Sequence, residues 1–333
     1  MKPLRLWQSL LIRAAATVLS SGGHSSSLAI LIFHRVLPEP DPMLRDEPDI
    51  RRFSALMDLI GSNFRVLLLR DAVCQLHSGA LPPRAICITF DDGYANNCEV
   101  AMPVLIARGL PATVFVATGY LNGGAMFNDI VIEALRVAPE ALDLRGLGLG
   151  QFKLSDFNSR RKVATMIIER LKYGSGTVAE RLNAARNLAA ACGLHRMPQL
   201  MLHDDQVVKL HRNGIEIGAH TVTHPILTRV NSANARDEIV ESKRRLEHLV
   251  GAPVTSFAFP NGDPSQDYSI EHVNMVREAG FHVALTTAWG TATADADPLQ
   301  LPRLAPWDQT AMRYSARIAA SYRQRRYTTT ALV

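Results

Sequence analysis

The feature that most constrains this fold is an alternation of apolar strands with amphipathic helices, running from about residue 28 to about residue 290. The first units are LAILIF, typical of a buried strand, IRRFSALMDLIGSNF, typical of an amphipathic helix, and ICITF, a second buried strand. Strands that alternate with helices indicate a parallel sheet or a barrel. Roughly seven strands are recognisable, and this number favours a barrel over an open sheet.

The same rhythm predicts the remaining elements of the repeat. RVLLL is typical of a strand, a helix follows near 70–78, and ANNCEVAMPVLIARG has helical spacing that closes on Gly109. PATVFVAT, IEIGA, VTSFAF and HVALTT are predicted strands, while SANARDEIVESKRRLEHLVG and a segment near 270–279 are predicted helices. The repeat therefore predicts one α/β domain over about residues 28–310.

The repeat is interrupted between about residues 121 and 205. This segment is rich in helix-forming residues, as in RRKVATMIIERLK and VAERLNAARNLAAACG, and shows no clear β alternation. We interpret it as a helical insertion between two strands. Such an insertion either shapes substrate access over the carboxyl end of a barrel or serves only as a packing subdomain.

The segment before the repeat, residues 1–27, contains an apolar stretch and then the linker-like sequence SSGGHSSS. A secretion signal needs an unbroken apolar core of about 7–15 residues, and Arg13 interrupts this one. An amphipathic helix, docked or in peripheral membrane contact, is favoured over a poor signal or a disordered segment. We therefore expect a cytoplasmic or membrane-peripheral location, with secretion through a weak signal as the alternative.

Composition excludes several classes of protein. With 47% hydrophobic and 20% charged residues, the chain is not disordered throughout. Its four cysteines include no CxxC pair, which argues against a zinc finger or a dense disulfide framework. The net charge of +5 is mild, and no nucleic-acid motif accompanies it, so no nucleic-acid partner is expected. A basic C-terminal helix or tail, 311–333, supplies Arg313, Arg317, Arg323, Arg325 and Arg326.

Polar side chains follow several predicted strands, at the point where α/β folds place their active sites. They are Asp91 and Asp92 after ICITF, His220 and His224 in GAHTVTHPIL after IEIG, Pro260 and Asn261 in FAFPNG, and His34 in LIFHRVLPEP. The strands of a parallel barrel end at one rim. These residues are therefore candidates for a single site.

The two histidines and one of the acids have the composition of a metal site. His220 and His224 are four residues apart, but Pro225 disfavours helical geometry at His224, so we expect a turn or short loop. Two histidines and a carboxylate form a three-ligand set that leaves a position open for water, as catalytic zinc sites require. Asp92 is the natural third ligand. Asp91 then remains free to act as a base.

TFDDGY together with HTVTH resembles the first two motifs of the polysaccharide deacetylases (NodB homology, carbohydrate esterase family 4). The resemblance covers about residues 28–125 and 205–305. It implies a distorted (β/α)7 TIM-like barrel and hydrolysis of N-acetyl groups on an N-acetylated oligo- or polysaccharide. It also implies a divalent cation, most commonly Zn²⁺, with Co²⁺ or Ni²⁺ as alternatives. By this resemblance Asp91 is the base, and the metal ligands are Asp92, His220 and His224.

Two departures from the family pattern point to one branch of it. The family usually has an arginine where this chain has Ala258, and its late leucine–histidine motif is missing. FAFPNG and LIFHRV resemble the branch that deacetylates extracellular poly-N-acetylglucosamine, in which an early strand-end histidine is the general acid. His34 matches that position; the alternative is a histidine that caps the strand or binds the Pro-rich loop. Arg303, in LPRLAPWD, is the candidate to orient Asp91, with simple surface pairing as the alternative.

The remaining site predictions concern the substrate. The backbone N–H of Asn261, just after Pro260, is the candidate donor to the oxyanion, and Tyr94 is expected to contact substrate. Two other functions stay open: hydrolysis of a small amide, as in the allantoinase-like branch, and a non-catalytic carbohydrate-binding relic. A glycosidase is disfavoured because its carboxylates must stand about 5 Å or more apart and it needs no histidine pair.

Overall fold

The computed structural model describes residues 4–20, 26–174, 176–305 and 308–330. These residues form two units. The first combines Met1–Glu39, Asp46–Leu121 and Leu202–Val333, and the second combines Pro40–Arg45 and Asn122–Met201. Most of the predicted SSGGHSSS linker lies outside the described residues.

The described strands include those that the sequence alternation predicts and several short ones that it does not. Along the chain they are β1 (Ser27–Phe33), β2 (Arg65–Val66), β3 (Ala85–Phe90), β4 (Thr113–Val116), β5 (Ala141–Asp143), β6 (Gln151–Lys153), β7 (Glu216–Ala219), β8 (Ser256–Ala258), β9 (Val283–Trp289), β10 (Ala292–Thr293) and β11 (Leu301–Arg303).

The helices alternate with the strands of the first unit and dominate the second. They are α1 (Leu6–Ser20), α2 (Ile50–Asn63), α3 (Leu69–His77), α4 (Met102–Ile106), α5 (Phe127–Val137), α6 (Phe157–Tyr173), α7 (Val178–Ala191), α8 (Asp204–Arg212), α9 (Ser232–Val250), α10 (Ile270–Glu278) and α11 (Ala311–Ser321). Among the described residues, none of these helices combines the length and apolarity needed to cross a membrane.

The first unit is built on a ring of seven parallel strands. Neighbours pair in the order β1, β3, β4, β7, β8, β9 and β11. The ring closes just after β11, where the Leu304 N–H donates to the Ile30 carbonyl at 2.7 Å and the Ile32 N–H donates to the Leu304 carbonyl at 3.0 Å. An eighth strand, β10, runs antiparallel beside β1. The predicted distorted barrel is therefore confirmed.

The strands of the ring are apolar on both faces because helices cover the outside and side chains fill the inside. All six residues of β3 are buried, as expected for a parallel strand that is covered on both sides. Phe33, Phe53 and Phe90 form an aromatic cluster with ring centroids 5.6–5.9 Å apart. This cluster supports the ends of β1 and β3 directly beneath the barrel rim.

Local capping chemistry sets the ends of the longest helix. The Asn231 side chain accepts the Asn234 backbone N–H at the start of α9, and Gly251 ends it in a left-handed conformation (φ 67°). Asparagine at the N-cap and glycine after the last turn are the residues that these positions favour. The predicted helix SANARDEIVESKRRLEHLVG is therefore confirmed with its ends within a residue or two.

One predicted strand is largely wrong. Only Arg65–Val66 of RVLLL forms a strand, because α3 already begins at Leu69. A short apolar run does not distinguish a buried strand from the start of a buried helix. Leu69 and Leu76 are both buried on the inner face of α3, so tertiary packing determined the outcome.

The second unit is mainly helical, as predicted for the insertion, but it also contains a hairpin. Its apolar core joins α5, α6 and α7. The Arg136 guanidinium binds both carboxylate oxygens of Asp41 at 2.8 and 2.7 Å, tying Pro40–Arg45 to α5. The antiparallel pair β5 and β6 was not anticipated. Each strand has three residues, too few for a recognisable alternation.

Candidate metal and catalytic centre

The register of the barrel strands brings the sequence motifs to one rim. Phe33 and Phe90 are direct partners at the ends of β1 and β3, so His34 and Asp91 leave the barrel side by side. The Asp91 N–H donates to the Phe33 carbonyl at 2.9 Å, which fixes this exit. Two strands further around the ring, His220 follows β7, and its N–H donates to the Val116 carbonyl at 3.1 Å.

Asp92, His220 and His224 lie together with the geometry of a metal site. One ligand atom from each lies within 4.8 Å of the others. Oδ1 of Asp92 is 3.5 Å from Nε2 of His220 and 3.4 Å from Nε2 of His224. The two imidazole rings are 4.7 Å apart, centroid to centroid. A carboxylate oxygen and two imidazole nitrogens can therefore reach one cation.

The protonation of the two histidines suits this role. Nδ1 of His220 lies 2.7 Å from the Ala258 carbonyl. A carbonyl only accepts, so this nitrogen carries the proton and Nε2 faces the site with its lone pair, an arrangement typical of metal-ligating histidines. Burial lowers the pKa of His224 to about 4, even against the Asp92 carboxylate, so this ring is neutral at pH 7.

The charges around the site favour an ionised Asp92 beside His220. Burial alone would lower the pKa of His220, but the Asp91 and Asp92 carboxylates outweigh it and raise that pKa. Burial alone would likewise raise the pKa of Asp92, but its interactions with His220, His224 and His34 outweigh that effect and lower it. The donor set thus presents an anionic oxygen and two nitrogens, a combination that suits zinc and its neighbours.

The loop that carries His224 is held in a left-handed conformation. Thr221 and His224 have φ values of 63° and 53°, which explains why the two histidines are not on a helix, as the sequence predicted. The Thr221 hydroxyl accepts the His224 N–H at 3.1 Å. Residues with positive φ that are not glycine persist only where surrounding contacts fix them.

Glu238 supplies those contacts, and sequence reasoning missed it. Its carboxylate accepts the N–H groups of Val222 and Thr223, each at 2.7 Å, and the Thr223 hydroxyl at 2.5 Å. From α9 it therefore fixes the turn between the two histidines. No local signal identified Glu238, since it is one acid among several on a polar helix and lies 16 residues from Val222.

The backbone after β3 explains how adjacent acids take different directions. Asp92 has a left-handed φ of 74° and Gly93 follows with 82°. A Cβ on Gly93 would lie 3.0 Å from the Val116 side chain, so glycine is needed there for space as well as for conformation. This kink turns Asp92 toward the histidines and leaves Asp91 on the other side.

Asp91 forms a buried, bidentate ion pair with Arg303. Nη1 and Nη2 of Arg303 donate to Oδ1 and Oδ2 of Asp91 at 2.7 and 2.8 Å, while Nε donates to the Thr286 carbonyl at 2.8 Å. Arg303 is 1% exposed, so this is not the surface pair that the sequence left open. Burial alone would raise the pKa of Asp91, but Arg303 and then His220 outweigh it and lower that pKa.

His34 lies at the edge of this centre, beside an acid that the sequence analysis did not single out. Its charge contributes to lowering the pKa of both Asp91 and Asp92. His34 and Glu47 line one cavity of about 260 Å³. A Glu47 oxygen accepts the Arg35 N–H at 3.3 Å; burial raises the Glu47 pKa, against the opposing charge of His34.

The structure gives less direct support for the predicted oxyanion and substrate contacts. Pro260 is buried and Asn261, with φ 60°, follows it just beyond β8, whose Ala258 carbonyl binds His220. The Asn261 carbonyl accepts the Thr287 hydroxyl at 2.8 Å, which fixes the loop.

Tyr94 is 3% exposed and its ring lies under the Arg35 guanidinium at 4.8 Å. Contact of Tyr94 with substrate therefore stays a prediction.

Comparison with known proteins identifies the class of this barrel. The sequence profile of the polysaccharide deacetylase family matches residues 78–142 and 174–284, more than half of the chain. The chain belongs to the polysaccharide deacetylase family. The matched segments contain Asp91, Asp92, His220 and His224.

Individual relatives are distant. Among curated proteins, the chain is 22% identical over 191 residues to the poly-beta-1,6-N-acetyl-D-glucosamine N-deacetylase of Staphylococcus aureus strain MRSA252, covering 56% of this chain and 64% of that protein. The chain thus spans a little under two thirds of that relative's length.

Solved structures confirm the fold over most of the chain. The deacetylase PplD of Streptococcus pyogenes, in complex with acetate, superposes with a TM-score of 0.60 at 16% identity, over 88% of this chain and 98% of that one. IcaB from Ammonifex degensii superposes with a TM-score of 0.56 at 17% identity, over 91% and 98%.

Proposed function

We propose that this protein is a metal-dependent N-deacetylase that hydrolyses the N-acetyl groups of aminosugars in a poly-N-acetylglucosamine-type polysaccharide or its precursor. The observation that carries the proposal is the convergence of Asp92, His220 and His224 beside the Arg303-bound Asp91, on the rim of a polysaccharide deacetylase barrel. The activity of the staphylococcal relative, a poly-beta-1,6-N-acetyl-D-glucosamine N-deacetylase, supports the substrate class.

The donor set fits a divalent cation. Asp92 provides an anionic oxygen, and Nε2 of His220 and Nε2 of His224 provide two nitrogens within reach of it. We propose Zn²⁺ as the native ion, with Co²⁺ or Ni²⁺ as substitutes, because three such ligands match the open catalytic zinc site. When bound, such an ion polarises the amide carbonyl and lowers the pKa of water in the site.

Asp91 acts as the general base. It accepts a proton from the water that attacks the acetyl carbonyl, a role that requires the carboxylate form. The Arg303 guanidinium lowers the pKa of Asp91 and holds both of its oxygens in one orientation. In this chain Arg303 thus takes the place of the arginine that Ala258 replaces.

His34 acts as the general acid. Cleavage of the C–N bond leaves the electron pair on the sugar nitrogen, and His34 donates the proton that completes the amine, while acetate carries away the attacking oxygen. The Asn261 N–H is proposed to donate to the oxyanion that precedes this step. Glu47, in the same cavity, is proposed to position the imidazole of His34.

The experiment is an acetate-release assay on N-acetylglucosamine oligomers, with metal content measured on the same sample and products examined by mass spectrometry. The proposal expects loss of one acetyl mass per turnover, abolished by a chelator and restored by zinc or cobalt. Turnover of small amides alone would favour the allantoinase-like alternative, and binding of the oligomers with neither bound metal nor turnover would favour the carbohydrate-binding relic.

Location and membrane contact are separate from this chemistry. A cytoplasmic or membrane-peripheral location stays a prediction, as does contact of the N-terminal helix with a membrane. In a cytoplasmic setting the substrate would be a lipid-linked or nucleotide-linked precursor, and outside the cell it would be the finished polymer.

A further inference from the structure

The N-terminal helix α1 exposes a row of large apolar side chains, which we call the apolar ridge. The exposed fractions of its five members lie between 54% and 79%. They are Leu6, Trp7, Leu10, Leu11 and Val18. Positions with this spacing lie on one side of a helix, and the exposed residues Ala14 and Ala15 extend the same side.

The opposite side of α1 is already occupied. Ile12, Ala16 and Ser20 are buried, and α1 packs there against α11 and α2. The helix is therefore docked on the first unit by its narrow buried stripe, and the wider apolar side faces away from the protein. Elsewhere in the described residues, exposed large apolar side chains are scattered, with at most three on any one helix.

The two terminal segments whose helices α1 and α11 pack together carry charge of one sign. The sequence has no aspartate or glutamate before Glu39 and none after Asp308, so every charged side chain in these segments is cationic. Arg13 borders the ridge on α1, Arg5 comes directly before the helix, and both are exposed. Arg13 and Arg65 are near enough to Arg84 to help lower its pKa, after burial.

This combination favours one kind of occupant. A convex helix with leucines and a tryptophan on one side and arginines at the border matches the interfacial helices that lie in the plane of a bilayer. Anionic lipid headgroups attract basic side chains near the surface. In a symmetric pair of this protein, two ridges in contact would bring the same arginines together without a counter-charge. A second copy is therefore a poorer fit than a lipid surface.

We propose that α1 lies in the headgroup region of an anionic membrane, with the apolar ridge inserted and Arg5 and Arg13 against lipid phosphates. The contact is peripheral, since none of the described helices is long and apolar enough to span. It is independent of the reaction proposed above, because the ridge contributes no residue to the centre at the barrel rim.

The test is sedimentation of the full chain with sucrose-loaded vesicles of phosphatidylglycerol and phosphatidylethanolamine, against vesicles of phosphatidylcholine alone. The expected result is binding to the anionic vesicles that weakens with salt. The combined variant Leu6→Ser, Leu10→Ser and Leu11→Ser should reduce the partition coefficient by more than about tenfold. Arg5→Gln with Arg13→Gln should reduce it by about 25-fold, since each basic residue near the surface contributes on the order of fivefold.

A matched control removes three exposed apolar side chains elsewhere: Ile106→Ser, Val137→Ser and Val240→Ser, whose exposed fractions are 47%, 50% and 44%. This variant should bind vesicles like the unmodified chain. Thermal unfolding of every variant verifies that the fold is intact, and the readout does not depend on deacetylase activity.

The proposal is overturned by equal binding to neutral and anionic vesicles, or by binding that the ridge variant leaves unchanged. It is also overturned if the protein does not bind vesicles and if light scattering shows a dimer that dissociates when Leu10→Ser and Leu11→Ser are introduced together. In that case a second copy covers the ridge.

Discussion

The two sides of the barrel rim are built in different ways. On the side of the proposed metal ligands, which we call the ligand side, local backbone conformation places Asp92, His220 and His224, with left-handed residues at Asp92, Thr221 and His224. On the acid–base side, Asp91 and His34 leave regular strands. The position and charge of Asp91 depend on Arg303, 212 residues away along the chain, and His34 shares its cavity with Glu47.

This difference determines how each side should respond to substitution. A substitution on the ligand side removes a donor from a three-ligand set and should eliminate cation binding. A substitution on the acid–base side should leave the cation in place and alter only proton transfer. Measuring metal content alongside turnover separates the two kinds of effect.

The largest loss of bound metal and of turnover is expected from His220→Ala. Removing Nε2 of His220 leaves two ligands, so bound metal should fall to background and turnover by about a thousandfold or more, equivalent to several kcal/mol of transition-state stabilisation. Elemental analysis and acetate release on one sample measure both. His248→Ala, at an exposed position on α9, is the control and should behave like the unmodified chain. Full turnover in the metal-free variant would contradict the ligand assignment.

Asp91→Asn should lower kcat by about 10²–10⁴-fold, the usual contribution of a general base. The amide keeps nearly the same shape but does not accept the proton, and the three ligands are untouched. Metal content should therefore equal that of the unmodified protein. Loss of metal in this variant would show that Asp91 is itself a metal ligand and would contradict the proposed division between metal ligands and acid–base residues.

His34→Ala should lower kcat by about 10²–10³-fold with unchanged metal content, because the departing amine loses its proton donor. His34→Gln is a useful companion, since it retains a polar side chain but cannot exchange a proton. Near-normal turnover in either variant would show that another group protonates the amine and that His34 only caps its strand.

Arg303→Met should lower kcat/KM by about 10- to 100-fold at neutral pH, since a misplaced catalytic group carries a cost of this order. Without the guanidinium, only His220 and His34 oppose the effect of burial on the pKa of Asp91, so that pKa rises and the acidic limb of the pH–rate profile should move to higher pH. Arg303→Lys retains the charge and should restore part of both losses. An unmoved acidic limb would show that Arg303 does not control Asp91.

The same pair predicts a pH dependence of stability. The pKa of Asp91 is lower in the folded protein than in the unfolded chain, where an aspartate has a pKa of about 3.9. Its contribution is therefore complete above that value and is lost as pH falls through the folded pKa. Denaturant unfolding between about pH 2 and pH 6 should show this loss in the unmodified protein and less of it in Arg303→Met.

The smallest effect is expected from Glu47→Gln. The amide has the same shape as the carboxylate but no charge to attract His34, so kcat should fall by about two- to fivefold, the size of one partly exposed charge interaction. Metal content should not change. Glu39→Gln, at an exposed position in the same loop, is the control. A loss as large as that of His34→Ala would make Glu47 a proton donor itself.

The sequence predicted that Asp92, His220 and His224 lie together, because the determinants there are close together in the chain. TFDDGY and HTVTH each contain their candidate ligands within a few residues, and the strand before each motif has a clear apolar signature. The barrel follows from the alternation of strands and helices and the family from the two motifs, and both are confirmed by the fold and the family match.

The supporting residues were harder to predict because they depend on contacts between distant segments. Glu238 on α9 and Glu47 after the Pro-rich loop are ordinary acids in their local sequence, and only the folded chain places them beside the site. For Arg303 the sequence left two roles open, orientation of Asp91 or surface pairing, and its burial excludes the surface pair. RVLLL failed for the opposite reason: its local signal was strong, but only Arg65–Val66 pair with β3 and the chain enters α3 at Leu69.

The central claim is that one cation is held by Asp92, His220 and His224. A crystal of the protein grown with zinc and measured on both sides of the zinc absorption edge tests it directly. The expected result is one anomalous peak at about 2.0–2.2 Å from an Asp92 carboxylate oxygen and from Nε2 of both histidines. A peak bound elsewhere, or none at this rim with zinc in excess, would contradict the account.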